Sequence, residues 1–170
     1  MNRNEIVDRL IAQRVVPVLR FESARVTRDA VDALREAGFT TFEITLTTPG
    51  AVDLIRDLAQ DPALLVGAGT VLELDAAARC LDAGARFVVA PCAISGLAQA
   101  AHGRGAAALV GGWTPGEILA AHREGADVVK VFPASSGGTS HLAAIHAVFP
   151  DIRLCPTGGV NAQNMRDYFK

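Results

Sequence analysis

The sequence is poor in aromatic residues, in cysteine and in excess charge, and each shortage excludes a class of protein. Aromatic residues make up only 5% of the chain, too few for a surface that stacks nucleic-acid bases. Sixteen basic and eighteen acidic residues leave a net charge of −2, so no basic surface for nucleic acid or anionic membranes is expected. The three cysteines form no Cys-x-x-Cys pair, which argues against a disulfide framework and fits a reducing compartment.

Long apolar segments are missing as well. The first ten residues carry several charges, unlike a secretory signal peptide, and no stretch has the length of a transmembrane helix. We therefore expect a cytoplasmic protein with no nucleic-acid and no membrane partner. Half of the 170 residues are hydrophobic, which is enough for one core, so we expect a single domain over residues 1–170.

Short β-branched segments alternate with longer segments rich in Ala, Leu and Arg. The predicted strands are 15–19, 41–46, 64–67, 87–90, 108–110, 128–132 and 153–156. The predicted helices are 27–37, 51–59, 75–83, 96–102, 115–123, 141–148 and 161–170. Apolar strands that alternate with helices predict an α/β fold in which helices cover a parallel sheet.

Glycines punctuate this pattern at regular intervals. Gly38, Gly84, Gly105 and Gly125 each follow a predicted helix and precede a predicted strand, as a helix C-cap does. The last three are 21 and 20 residues apart, the length of one short βα unit, which favours a (β/α)8 TIM barrel over a doubly wound sheet. A closed barrel needs an eighth unit, so we expect that the last βα unit is missing and that the chain is C-terminally truncated.

Lysine is scarce, and its position is unusual. The sequence has only Lys130 and Lys170, and Lys130 lies within the apolar strand DVVKVFP. Because side chains alternate along a strand, Lys130 shares a face with Val128 and Phe132. The same alternation gives Glu43 the inner face of the second strand. The side chains of Lys130 and Glu43 are thus both expected to point into the interior of the barrel.

A buried lysine and a nearby carboxylate suit covalent chemistry on a carbonyl. Burial disfavours the charged form of a lysine, and a neutral amine attacks carbonyl groups to form a Schiff base. A carboxylate such as Glu43 would move the protons that this reaction needs. Two alternatives stay open at this point: a structural ion pair between Glu43 and Lys130, and a solvated Lys130 on an edge strand.

Other residues suit an anionic substrate. The turn CPTGGV (155–160) ends a strand and opens a helix, so its glycine N–H groups would face a phosphate; a Gly-Gly turn with only a geometric role is the alternative. Arg20 follows the first strand, where it would pair with a carboxylate or lie on the surface. The four histidines fall in predicted helices without metal-site spacing, so no metal and no cofactor are expected.

Six motifs carry a resemblance to one family. They are FEITLTTPGAV (42–52), VGAGTVL (66–72), FVVAPC (87–92), GGWTPGEI (111–118), VVKVFPASSGG (128–138) and CPTGGV (155–160). In this order and spacing the chain resembles the class I 2-keto-3-deoxy-6-phosphogluconate (KDPG) / 4-hydroxy-2-oxoglutarate (KHG) aldolases, which are bacterial trimeric barrels. The resemblance covers essentially the whole chain. Because members of the family are trimers, it implies a homotrimer for this chain.

The resemblance also implies a role for each site residue. Lys130 would form the Schiff base, and Glu43 would be the general acid and base. Many members carry an arginine at the position of Thr47, and we expect Arg20 to bind the carboxylate instead. The remaining substrate-binding residues are Thr70, Pro91 and Phe132 at the pyruvate pocket, and Thr157, Gly158 and Gly159 at the phosphate end.

The activity that the resemblance implies is reversible cleavage of KDPG to pyruvate and glyceraldehyde 3-phosphate, a step of the Entner-Doudoroff pathway. Within the same chemistry, the galactonate epimer of KDPG or unphosphorylated KHG are alternative substrates. From other classes, a phosphosugar isomerase or synthase on the same barrel and a non-catalytic phosphate-ligand binder are alternatives.

Overall fold

A computed structural model describes residues 1–169, in which strands and helices alternate along the chain. The strands are β1 (Val18–Leu19), β2 (Thr41–Thr45), β3 (Leu65–Gly69), β4 (Phe87–Val89), β5 (Ala107–Gly112), β6 (Val128–Val131) and β7 (Leu154–Pro156). The helices are α1 (Arg3–Gln13), α2 (Ala24–Glu36), α3 (Ala51–Leu58), α4 (Leu74–Asp82), α5 (Leu97–His102), α6 (Pro115–Arg123) and α7 (Gly138–Val148). Two short 3₁₀ helices cover Ala134–Ser136 and Met165–Phe169.

The strands form one parallel sheet in the order β1 to β7, each strand pairing with the next in sequence. The sheet curls, so that side chains of β2 and β6 meet across its interior. These findings confirm the predicted α/β class and the parallel sheet. Within residues 1–169, β1 and β7 do not pair with each other, so the sheet is not closed. A (β/α)8 barrel with an eighth βα unit therefore stays a prediction. None of the helices in this part of the chain is both long enough and apolar enough to cross a bilayer.

The ends of the helices follow from local sequence. Asn2 and Glu5 form a capping box at the start of α1, and Thr114 and Glu117 form another at the start of α6. The glycines predicted to be C-caps all have positive φ, for example 105° at Gly84, which confirms that prediction. Such dihedrals are accessible to glycine at little cost, so each helix can stop and turn into the next strand.

One helix was not predicted from sequence, and it closes one end of the curled sheet, here called the floor. Ile6, Val7 and Leu10 of α1 are buried against inner-face residues of β3 to β6, among them Phe87 and Leu109. This apolar layer shields the interior from water below the charged residues of β2 and β6. At the other end of the chain the predicted helix 161–170 is wrong, because the described residues form turns and a 3₁₀ helix; Lys170 lies outside the described residues.

Thr41 offers a test of the packing at this floor. Its hydroxyl is buried on the inner face of β2, and no hydrogen-bond partner for it exists among residues 1–169. Because an unpaired buried hydroxyl costs free energy, Thr41→Val is expected to raise the free energy of unfolding by about 1 kcal/mol. Urea denaturation measures the change, and a clear decrease would show that the hydroxyl is paired.

Candidate active site

Glu43 and Lys130 meet inside the curled sheet. Glu43 is the central residue of β2, Lys130 lies in β6, and Lys130 Nζ is 4.0 Å from Glu43 Oε1. Their side chains are only 5% and 7% exposed, respectively, so both charged groups are held away from bulk water. β6 lies between β5 and β7, which makes the edge-strand alternative for Lys130 wrong. The predicted proximity of the two residues is confirmed.

The protein environment alters the acidity of Glu43. Burial raises the pKa of its carboxyl above the usual 4.5, and the positive charges of Lys130 and Arg20 offset part of this rise. Oε1 has no hydrogen-bond partner among the described residues, which leaves this oxygen available to a bound molecule. A carboxyl group with a raised pKa keeps its proton at a higher pH than a solvated one does, which suits a general acid.

Glycines on neighbouring strands make room for the pair. Gly67 of β3 lies beside Glu43 in the sheet register, and Gly111 of β5 lies beside Lys130. A Cβ atom at Gly69 would overlap the Glu43 carboxylate, and one at Gly111 would overlap the backbone of Pro91. The glycines of the GAGT and GGWT motifs therefore open the space in which the charged side chains and the loop after β4 lie.

Besides the Glu43 carboxylate, the Lys130 amine has two weakly polar neighbours. Its Nζ lies 5.5 Å from the centroid of the Phe132 ring, which is partly exposed at the mouth of the site. On the other side Cys155 of β7 lies next to Lys130 in the register, and burial raises the pKa of its thiol. Cys155 is not among the site residues predicted from the sequence. The alternation of side chains along β7 is the signal that would have placed it beside Lys130.

Arg20 reaches the site from the end of β1. Its guanidinium donates to the hydroxyl of Thr70 at 3.0 Å and to that of Thr47 at 3.3 Å. Thr70 has φ of +57°, a conformation that β-branched residues rarely adopt. Strain of this kind persists where the surrounding structure holds it, and it clusters at ligand sites.

The turn after β7 presents backbone donors at the same end of the sheet. The carbonyls of Thr157 and Gly158 accept hydrogen bonds from Ala134 and Ser135 at 2.7 and 3.0 Å, which fixes the turn. Gly158 and Gly159 have φ of +87° and +85°. No hydrogen bond within residues 1–169 uses the N–H of either glycine, so both are available to an anion.

A cavity of about 940 Å³ opens between β1 and β7 and connects these groups. The predicted site residues that line it are Arg20, Lys130, Phe132, Thr157, Gly158 and Gly159. Glu43 and Thr70 do not line this cavity but contact it through Lys130 and Arg20. Pro91 is the most remote of the predicted residues, because it joins the site only through its packing against Gly111.

The histidines and possible metal ligands lie elsewhere. His141 is stacked on Trp113 with ring centroids 4.5 Å apart, and His102 bonds to Asp127 at 3.0 Å. Within residues 1–169 no group of three or more His, Cys, Asp or Glu side chains is placed to hold a metal ion.

Comparisons with known proteins agree on one family. The family model described as "KDPG and KHG aldolase" matches residues 6–170. The chain is 41% identical to a 2-dehydro-3-deoxy-phosphogluconate aldolase of Pseudomonas aeruginosa, over 91% of this chain and 71% of that protein. It is 38% identical to a probable 2-dehydro-3-deoxy-6-phosphogalactonate aldolase of Rhizobium meliloti, over 91% and 74%.

A solved structure supports the same assignment. The KDPG aldolase of Legionella pneumophila, crystallised with pyruvate as a covalent carbinolamine intermediate, has a TM-score of 0.84 and 32% identity. The match covers 91% of this chain and 76% of that structure.

Proposed function

Because this chain belongs to the KDPG and KHG aldolase family, we propose that it is a class I aldolase that reversibly cleaves KDPG to pyruvate and glyceraldehyde 3-phosphate. The observation that carries the proposal is the buried pair of Lys130 and Glu43, 4.0 Å apart beside a cavity that holds carboxylate- and phosphate-binding groups. Family membership does not favour the isomerase, synthase or non-catalytic alternatives.

The first half of the reaction uses Lys130 as the nucleophile. Its neutral amine attacks the C2 carbonyl of the substrate to give a carbinolamine. Glu43 donates a proton to the departing hydroxyl, water leaves, and a protonated Schiff base remains. Because Glu43 Oε1 lies 4.0 Å from Lys130 Nζ, the hydroxyl of a carbinolamine formed on that nitrogen would lie next to the carboxyl.

The second half breaks the carbon–carbon bond. Glu43, now ionised, takes the proton of the C4 hydroxyl, the C3–C4 bond breaks, and its electron pair flows into the Schiff base to give an enamine and the aldehyde. The enamine then takes a proton at C3 from the protonated Glu43. Addition of water and loss of the amine release pyruvate and restore Lys130.

The other site residues would bind the two ends of the substrate. Arg20, with its positive charge beside the cavity, suits the carboxylate. By the resemblance, Thr70, Pro91 and Phe132 would contact the pyruvate portion, and of these Phe132 lines the cavity. The N–H groups of the turn at Thr157, Gly158 and Gly159 suit the phosphate.

A turnover assay tests this function. Pyruvate release is measured with KDPG, its galactonate epimer and KHG at equal concentrations. We expect the phosphorylated substrates to be preferred over KHG, because the N–H groups of Gly158 and Gly159 make no hydrogen bond within residues 1–169 and are available to a phosphate. The galactonate epimer is the second candidate, since the Rhizobium meliloti relative bears its name. Absence of pyruvate from all three would overturn the proposal.

Gly69 provides a second test, aimed at the placement of Glu43. A side chain at Gly69 would displace the Glu43 carboxylate, so Gly69→Ala is expected to lower kcat by about 10²-fold. Gly116→Ala is the matched control, because a Cβ there meets no atom within 4 Å and activity should stay at the wild-type level. Equal kcat in both variants would show that Glu43 tolerates displacement.

Four broader predictions complete the proposal. The eighth unit of a (β/α)8 barrel would lie in the gap between β1 and β7, where the cavity is open. A single domain over residues 1–170 and a cytoplasmic location stay predictions. A homotrimer is likewise predicted, and light scattering in solution measures the oligomeric state.

A further inference from the structure

Arg20 is an exposed side chain that is nevertheless fixed at two points. One terminal nitrogen of its guanidinium donates to Thr47 Oγ1 at 3.3 Å, and the other donates to Thr70 Oγ1 at 3.0 Å. An exposed arginine normally samples many rotamers, and ordering it costs conformational entropy. These two hydrogen bonds, which Arg20 donates to threonines in the loops that follow β2 and β3, therefore select one orientation of this side chain in advance.

The direction of the hydrogen bonds extends this network to the end of β1. Thr47 accepts from Arg20, so its own proton is free to be donated to Thr45 Oγ1, 2.9 Å away. Thr45 in turn donates to the carbonyl of Leu19 at 3.1 Å. This chain of hydrogen bonds thus runs from Arg20 through Thr47 and Thr45 to the carbonyl of Leu19, the residue directly before Arg20. The hydroxyls of Thr47 and Thr45 therefore each accept one hydrogen bond and donate another.

The remaining guanidinium donors are left for a ligand. A guanidinium has five N–H groups, and the two threonines accept only two of them. Arg20 lines the same cavity as Lys130, and its charge reaches the Glu43 carboxyl, whose pKa it helps to lower. A carboxylate bound by Arg20 would therefore lie within the cavity that also contains the Lys130 amine.

We propose that Thr47 is a positioning residue for substrate selection: supported by Thr45, it orients Arg20 so that the site prefers 2-keto acids to neutral ketones. The proposal rests on the proposed function, since it assumes that Lys130 forms a Schiff base with the keto group. Thr47 does not touch the substrate; it acts through Arg20. Its effect is on the binding of the carboxylate rather than on the bond-breaking steps.

Trapping of small ketones on the enzyme tests this role without a complete turnover. Thr47→Val keeps the shape of the side chain and removes the hydroxyl, and Thr47 is exposed, so the variant is expected to fold. The borohydride-trapped fraction is measured against the concentration of pyruvate and of its neutral methyl ester. We expect the apparent dissociation constant for pyruvate to rise about tenfold, with that for methyl pyruvate unchanged, because only the ionised ligand uses Arg20.

Matched variants separate positioning from general damage. Thr47→Ser returns the hydroxyl and should restore pyruvate binding. Thr41→Val makes the same chemical change at the opposite end of β2 from the loop that holds Thr47, and it should leave binding unaltered. In an Arg20→Met background the effect of Thr47→Val should disappear, since Thr47 then has nothing to orient.

The possible results have distinct meanings. If the wild-type enzyme forms no adduct with pyruvate, the proposed function itself fails. If the adduct forms, any of three results overturns the positioning role. The first is an apparent dissociation constant for pyruvate that is the same in Thr47→Val as in the wild type, and the second is an equal fall in the affinities for pyruvate and methyl pyruvate. The third is a fall in pyruvate affinity that persists when Thr47→Val is combined with Arg20→Met. A selective loss that Thr47→Ser reverses supports it.

Discussion

Lys130→Arg is expected to abolish both pyruvate release and the borohydride-trapped pyruvate adduct. Arginine keeps the positive charge next to Glu43, but a guanidinium stays protonated and cannot attack a carbonyl. Loss of a covalent nucleophile lowers kcat by on the order of 10⁵-fold or more. Intact mass measures the adduct, and peptide mapping locates it.

The scarcity of lysine makes this experiment unambiguous. The chain has only Lys130 and Lys170, so Lys170→Arg is a matched control that should retain both activity and adduct. Lys130→Met serves as a second variant if the guanidinium disturbs folding in a position that is 7% exposed. An adduct that survives in both Lys130 variants, or that maps to Lys170, would contradict the assignment of the nucleophile.

Much of the fold could be predicted because its signals are local. Apolar segments of three to six residues marked the strands, and glycines at left-handed C-caps marked the helix ends. The side-chain period of two was enough to place Lys130 and Glu43 on inner faces. Once the sheet was taken to be parallel and curled, their contact followed.

What could not be predicted depends on contacts distant in sequence. Helix α1 has an unremarkable polar sequence, and its role at the floor appears only when Ile6 packs against β3 to β6. The partners of Arg20 lie 27 and 50 residues away, so the sequence suggested a carboxylate partner but not what orients the side chain. The positive φ of Thr70 could not be predicted from its residue type either, since β-branched residues avoid the left-handed region.

Glu43→Gln is expected to lower kcat by about 10²- to 10⁴-fold, the usual contribution of a general acid and base, while pyruvate is still trapped on Lys130, although more slowly. Because burial holds the pKa of Glu43 above 4.5, the ionised form that takes the C4 proton is lost as the pH falls through that raised value. The acid limb of the wild-type kcat profile should therefore lie above pH 4.5 and vanish in the variant. Glu124→Gln, at the exposed end of α6, is the control.

The same substitution decides between a chemical and a structural role for the ion pair. The folded-state pKa of Glu43 exceeds its unfolded value, so the stability that its proton provides is present below pH 4.5 and is lost as the pH rises through the folded pKa. Wherever Glu43 is ionised in the folded protein, it is a buried charge that Lys130 and Arg20 offset only in part, and glutamine removes that cost. We expect the Tm of Glu43→Gln to equal or exceed that of the wild type at pH 7, with the difference shrinking towards pH 4.5. A large drop in Tm at neutral pH, with kcat little changed, would instead show that the pair serves to hold the barrel together.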